Sequence, residues 1–166
     1  MFEAIGEFLV SLPHELYLII ISIVPFIELR GAIPVGIGFG MNPVEVFLIC
    51  VIANCIPVPF IIFLIKPIFK WLKRFRPFEK IITKLEGIAD KKSGQITAYK
   101  YELVGLMLFV GIPLPGTGAW SGALVAALLN MRIKHAFVAI FLGVIMAGIL
   151  VTLISSGALA ALKFLM

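Results

Sequence analysis

Residues 16–41 read LYLIIISIVPFIELRGAIPVGIGFGM, and the reading of this stretch decides the fold. It is apolar apart from one charged step, Glu28-Leu29-Arg30, which Gly31 and Pro34 follow closely. A helix rises ~1.5 Å per residue and the bilayer core is ~30 Å thick, so a spanning helix needs ~20 apolar residues. The arms on either side of the step, Leu16–Ile27 and Val35–Met41, each reach only part of the way across. The expected structure is a re-entrant hairpin, two half-helices meeting at a broken tip near the midplane, with Gly31 and Pro34 shaping the tip. Irregular backbone at that depth persists only where protein buries it or where it lines a wet cavity.

A second stretch has the same design. Val104–Ile112 leads into Pro113-Leu114-Pro115-Gly116-Thr117-Gly118, and Ala119–Leu129 leads out. Two prolines and two glycines in six residues do not continue a helix. Two further segments are long enough to span. Val44–Ile65 follows Asn42 and Pro43, a fitting N-cap and first-turn pair, and is followed by Lys66 and Pro67. Pro57 and Pro59 should kink it. Ile133–Ile154 starts beside Arg132, Lys134 and His135 and runs to Ser155-Ser156-Gly157. Pro25 and Pro113 are separated by the same distance as Asn42 and Asn130. The expected fold is an all-α integral membrane protein, residues 1–166 in one membrane domain. Repeat 1 covers 16–66 and repeat 2 covers 101–157, each a hairpin followed by a span.

Composition agrees with a bilayer as the solvent. The 166 residues are 61% hydrophobic and 14% charged, with a mean hydropathy of +1.14. Soluble domains are roughly 45–50% apolar and roughly 25% charged. Basic residues from Lys66 to Lys100 crowd the central loop, whereas Glu3, Glu7, Glu15 and Glu45 mark the opposite face. The positive-inside bias places loop 67–100 in the cytoplasm. The two hairpins then enter from opposite sides, which makes the repeats inverted, and inverted repeats with interrupted helices point to a secondary transporter. The loop should lie on the leaflet as interfacial amphipathic helices, 68–75 and 78–89, and residues 2–12 should form another. The net charge of +5 needs no nucleic-acid partner, and none is expected. No cleavable signal peptide is expected either, since the N-terminus has no basic region. Cys50 and Cys55 are expected to be buried thiols, because five residues apart on a helix they face different directions.

The chemistry-bearing residues are few. An isolated charge at mid-bilayer costs ~2.5–3.5 kcal/mol on insertion scales, so Glu28 and Arg30 must pair or face water. Either they form a structural ion pair at the tip, or Arg30 binds an anion while Glu28 takes and releases a proton. Residues Pro113 to Gly118 free several N–H groups at a half-helix N-terminus, which can hold an anion. Thr117 and Ser121 can add hydroxyl donors there. Trp120 either packs on an acyl or prenyl chain or is structural. Asn54, inside the first span, must find a partner: another helix or the central cavity. Gly36, Gly38 and Gly40 read as close-packing positions. No metal or cofactor is expected, and no nucleophile–base pair or two-carboxylate arrangement supports an enzyme.

Glu28-Leu29-Arg30-Gly31-Ala32-Ile33-Pro34 and Pro113-Leu114-Pro115-Gly116-Thr117-Gly118-Ala119-Trp120-Ser121-Gly122 resemble the two signature motifs of the putative small multidrug export protein family. The resemblance covers nearly the whole chain and implies efflux. More distantly the hairpin architecture resembles the DedA family of the VTT superfamily. That likeness implies proton- or ion-driven transport of lipids such as undecaprenyl phosphate, with Glu28 matching the acidic residue of the first hairpin. DedA proteins carry arginines after the second tip; here only Arg132 follows, at the membrane edge, and Arg30 would supply the charge from the other repeat. The expectation is a small proton-coupled transporter in the plasma membrane of a prokaryote, multi-pass. It would move an anionic or amphipathic substrate of the polyprenyl-phosphate type between the two tips, with Arg30, Asn54, Gly116, Thr117, Gly118, Trp120 and Ser121 binding it. Alternatives are a small multidrug or solute exporter, a channel, and a membrane scaffold without transport. Membrane lipid would surround it. A chain with two full spans leaves polar hairpin surface to cover, so a homodimer or larger homo-oligomer is expected.

Overall fold

The computed structural model describes residues 12–72, 96–114, 116–129 and 131–165. Every regular element among them is a helix: α1 (His14–Ile23), α2 (Glu28–Gly38), α3 (Pro43–Cys55), α4 (Pro57–Leu72), α5 (Ile96–Gly111), α6 (Ala119–Leu128) and α7 (Ile133–Leu165). The helices α3 and α4 follow each other almost without interruption, with Ile56 still in helical backbone geometry. The proline pair starts α4 and interrupts the span as its missing N–H groups require.

Several boundaries differ from the sequence pattern. The first break lies at Val24–Ile27, upstream of the charged step, because Pro25 removes a helix donor there. Gly31 and Pro34 are therefore not tip residues: both lie within α2. Helix α4 continues through Lys66 and Pro67 to Leu72, since a basic residue ends a membrane segment but not a helix. Ser155-Ser156-Gly157 does not stop α7, because serine and glycine weaken a helix by at most ~1 kcal/mol each. Helix α5 begins at Ile96, eight residues before the apolar run at Val104. Residues 73–95 and 1–11 lie outside the described residues, and with them most of the expected interfacial helices, as do Pro115 and Asn130.

The chain divides into two compact units, one of residues Met1–Ile56 with Ile145–Met166, the other of Pro57–Val144. The division falls inside both long apolar helical segments, Pro43–Ile65 and Ile133–Ala158.

In the first unit α1, α2 and α3 pack on one another. Leu18, Leu29, Ala32, Ile33, Ile37, Val46 and Cys50 form its core. Gly36 lets the three helices approach: a Cβ there would stand 2.8 Å from both Leu18 Cδ1 and Val46 Cγ1. Gly40, at φ +80°, ends α2 in the left-handed conformation, and the Met41 N–H closes back on the Gly36 carbonyl. Gly38 meets nothing within 4 Å. The three glycines thus divide their work, and close packing belongs to Gly36 alone. The second half of α7 joins this unit through Gly148, where a Cβ would meet the Phe47 ring and Val51.

In the second unit α6 packs on α4 and α5. Val58, Ile62, Leu106, Val110, Ala123, Ala126, Ala136 and Ile140 are its core. Gly122 and Gly143 both abut Val110. After Glu28, the buried positions of α2 are Leu29, Ala32, Ile33, Gly36 and Ile37. Those of α6, Ala119, Gly122, Ala123, Ala126 and Ala127, recur at identical intervals.

Candidate functional site

The first tip is built by its backbone. Val24 leaves α1 in extended geometry and Pro25 has no N–H to donate. Phe26 (φ 76°) and Glu28 (φ 51°) are both in the left-handed region, the only two non-glycine residues so recorded among those described. Such geometry costs a residue with a Cβ roughly 1–2 kcal/mol. It persists because the Glu28 N–H donates to the Val24 carbonyl at 3.1 Å and the Gly31 N–H to Ile27 at 3.0 Å. The turn throws Phe26 fully outward, 99% exposed, and folds Glu28 inward to 6%.

A carboxylate at that burial needs partners. Glu28 has one, and its charge acts on the half-buried Arg30 guanidinium two residues along α2. Both charged residues lie on the first turn of α2 rather than on the broken segment itself. Gly31 lies against Ile27, where a Cβ would come within 2.6 Å of Ile27 Cγ2. Pro34 is inside the helix, farther along.

The second tip is uncharged. Gly116 (φ 81°) and Gly118 (φ 155°) carry its turns. The Thr117 hydroxyl lies 2.9 Å from both the Ile112 and the Leu114 carbonyl oxygens and donates to them. The Ser121 hydroxyl donates to the Gly118 carbonyl at 3.3 Å. Both hydroxyl protons thus hold the tip together rather than standing ready for an anion. The donors that remain are first-turn N–H groups of α6, which as at any helix start lack an intrahelical acceptor. Pro113 is half-buried at the end of the preceding arm, and Trp120 is half-buried and engaged in an interaction. Pro115 lies outside the described residues.

Asn54 is fully buried at the end of α3, and neither Oδ1 nor Nδ2 has a hydrogen-bond partner. The helix–helix bond that the sequence allowed is not made. Ser22, on the last turn of α1, is equally buried and lies against the Cys50 thiol. Sequence reasoning passed over Ser22. The available signal was a lone hydroxyl in an apolar run, which is weak because a serine in a helix can bond its own backbone. Cys50 and Cys55 are free thiols, both buried. Among the described residues no three His, Cys, Asp or Glu side chains come together as a metal site.

Two helical segments, Pro43–Ile65 and Ile133–Ala158, are long and apolar enough to cross a membrane, and the shorter helices beside them are apolar as well. Together with a mean hydropathy of +1.14, they define an α-helical membrane protein. The family described as putative small multi-drug export protein matches residues 28–150, from Glu28 to well inside the last helix. The chain belongs to that family. No curated protein and no solved structure matches it.

Proposed function

We propose that this protein is a small secondary transporter in a prokaryotic plasma membrane. It carries an anionic or amphipathic substrate of the polyprenyl-phosphate type, coupled to protons through Glu28. The observation that carries the reading is the buried Glu28 with Arg30 beside it, on a strained helix break in a chain of an export family. Charge in a membrane segment is expensive and is retained where it binds substrate or relays protons. In this reading Arg30 and Asn54 are the substrate-binding residues of the first unit. In the second unit the α6 amides, the backbone of Gly116 and Gly118, and Trp120 are the substrate contacts, with Thr117 and Ser121 shaping the tip.

The two hairpins are proposed as re-entrant and inverted, with residues 67–100 cytoplasmic. The identical spacing of buried positions on α2 and α6 supports a common design. A homodimer or larger assembly would cover exposed polar hairpin surface. No catalytic step is part of this reading.

The family description favours a second reading, export of drugs or small solutes. Proteoliposomes separate the two. With polyprenyl-phosphate lipid and cationic dye as alternative cargoes, we expect saturable lipid movement that a pH gradient accelerates. Glu28→Gln should remove the acceleration and Arg30→Ala the movement. Saturable movement of dye alone would replace the lipid reading with the exporter. If neither cargo moves, and Glu28→Gln and Arg30→Ala leave cell physiology intact, the protein is a scaffold.

A further inference from the structure

Contacts inside the first unit set the level of its buried polar groups. Leu18 and Val46 both press on Gly36. Ser22, one turn after Leu18, is engaged with the Cys50 thiol, one turn after Val46, so α1 and α3 run parallel and in step. Helix α2 runs the other way: it leaves the Val24–Ile27 break, and Gly36 returns it to the level of Leu18. Glu28 lies eight residues from Gly36 on α2, and Asn54 eight residues from Val46 on α3. Each step covers about 12 Å and both lead toward the first tip. Glu28 and Asn54 thus lie at one level of the unit, 6% and 0% exposed.

The two groups differ in what they meet. Glu28 has a partner, and its charge acts on Arg30. Asn54 makes no hydrogen bond through either Oδ1 or Nδ2. A buried amide left unpaired is costly, and a second state of the protein in which it is paired recovers that cost. An ionised carboxylate only accepts hydrogen bonds, whereas a protonated one both donates and accepts. A primary amide offers the complement of each. The other groups near this level that carry charge or titrate are Arg30 on α2 and the Cys50 and Cys55 thiols on α3. Helix α1 brings only the Ser22 hydroxyl, already engaged with Cys50. Residues 145–162 of α7 bring none, and His14, Glu15, Tyr17 and Glu45 lie at the opposite end of the unit.

We propose that Asn54 receives the Glu28 carboxyl when it is protonated, so that this carboxyl alternates between Arg30 and Asn54. A proton from water joins one carboxylate oxygen. The new O–H donates to Asn54 Oδ1, and Asn54 Nδ2 donates to the other carboxyl oxygen, with one amide N–H left over for cargo. Release returns the proton to water and the carboxylate to Arg30. While the carboxyl is neutral, the Arg30 charge lacks its counterpart, and one negative charge of a cargo takes that place. The inference rests on the proton-coupled reading of Glu28 and deepens it: one proton moves with each negative charge of the cargo.

The test is infrared difference spectroscopy of the purified full-length protein in nanodiscs, titrated with acid and without cargo. The C=O stretch of the protonated Glu28 carboxyl is the band that Glu28→Gln removes. In the native protein it should stand at the wavenumber of a hydrogen-bonded carboxyl. Asn54→Leu should move it to the higher wavenumber of an unbonded one and weaken proton binding about tenfold. Melting temperatures give a second arm. At neutral pH Asn54→Leu deletes an unpaired group and should leave the native melting temperature unchanged or higher. In the Glu28→Gln background, whose amide also donates and accepts, the same substitution should lower it. A native band at the unbonded position overturns the proposal, and decides it if Asn54→Leu does not fold. A native-like band in folded Asn54→Leu, or a melting shift of the same sign in both backgrounds, also overturns it. If no Glu28 band titrates in the folded protein, the proton-coupled reading falls as well. A carboxyl bonded to Asn54 in a protein that moves no cargo sinks the transport reading alone.

Discussion

Glu28 holds three properties at once: a charge, near-complete burial and a left-handed backbone. The charge was plain in the sequence and so was its cost. The backbone was not, because glutamate has no preference for positive φ, and the strain is imposed by the turn at Pro25. Comparing two substitutions isolates it. Glu28→Ala and Glu28→Gly both remove the carboxylate, but only alanine keeps a Cβ in the left-handed region. We expect Glu28→Gly to be more stable than Glu28→Ala by ~1 kcal/mol in detergent-solubilised thermal unfolding, the reverse of their order in an ordinary helix. Equal stability, or alanine ahead, would mean that the left-handed turn is absent in the membrane protein. Asn54 and Ser22 illustrate the limit from the other side. Their residue types were legible, but which groups they would meet depended on helices remote in sequence.

At the scale of elements, breaks were easier to read than boundaries. Proline and glycine act locally, so the second break was legible where it lies, at Pro113–Gly118, whereas the first was expected at Glu28–Pro34 and lies at Val24–Ile27, around Pro25. Helix ends elsewhere ran past the expected residues, at Lys66-Pro67 and at Ser155-Ser156-Gly157. Polar residues there end an apolar run, while helical hydrogen bonding continues. The glycines of α2 show the same division. Their sequence pattern treats Gly36, Gly38 and Gly40 alike, whereas contact separates them. Gly36→Ala should destabilise the protein by ~1–3 kcal/mol, since Leu18 and Val46 already occupy the space. Gly38→Ala meets nothing and should be neutral or stabilising by up to ~1 kcal/mol. Melting temperatures of the two variants check this, and a Gly36→Ala protein as stable as Gly38→Ala would contradict the three-helix packing.

At the scale of the whole molecule, the match over residues 28–150 places the chain in the family described as putative small multi-drug export protein, and two helices are long and apolar enough to cross a membrane. Inverted orientation is a claim about sides of a membrane, and single cysteines at positions 42 and 130 test it with an impermeant label in whole cells. One position should react from outside and the other only after permeabilisation. Reaction of both from the same side would remove the inverted arrangement and with it the transporter symmetry.

The sequence by itself determined the membrane character, the helical class, the existence of two helix breaks and the single charged step near the first of them. These follow from local quantities: apolar run length, proline and glycine positions, and the cost of charge in hydrocarbon. Only the tertiary structure decided that the first tip begins at Val24, that Glu28 turns inward, and that Thr117 and Ser121 spend their hydroxyls on their own backbone. It also left Asn54 buried without a hydrogen-bond partner. Each of these depends on which helix faces which, and burial and pairing are properties of neighbours that a linear chain does not name.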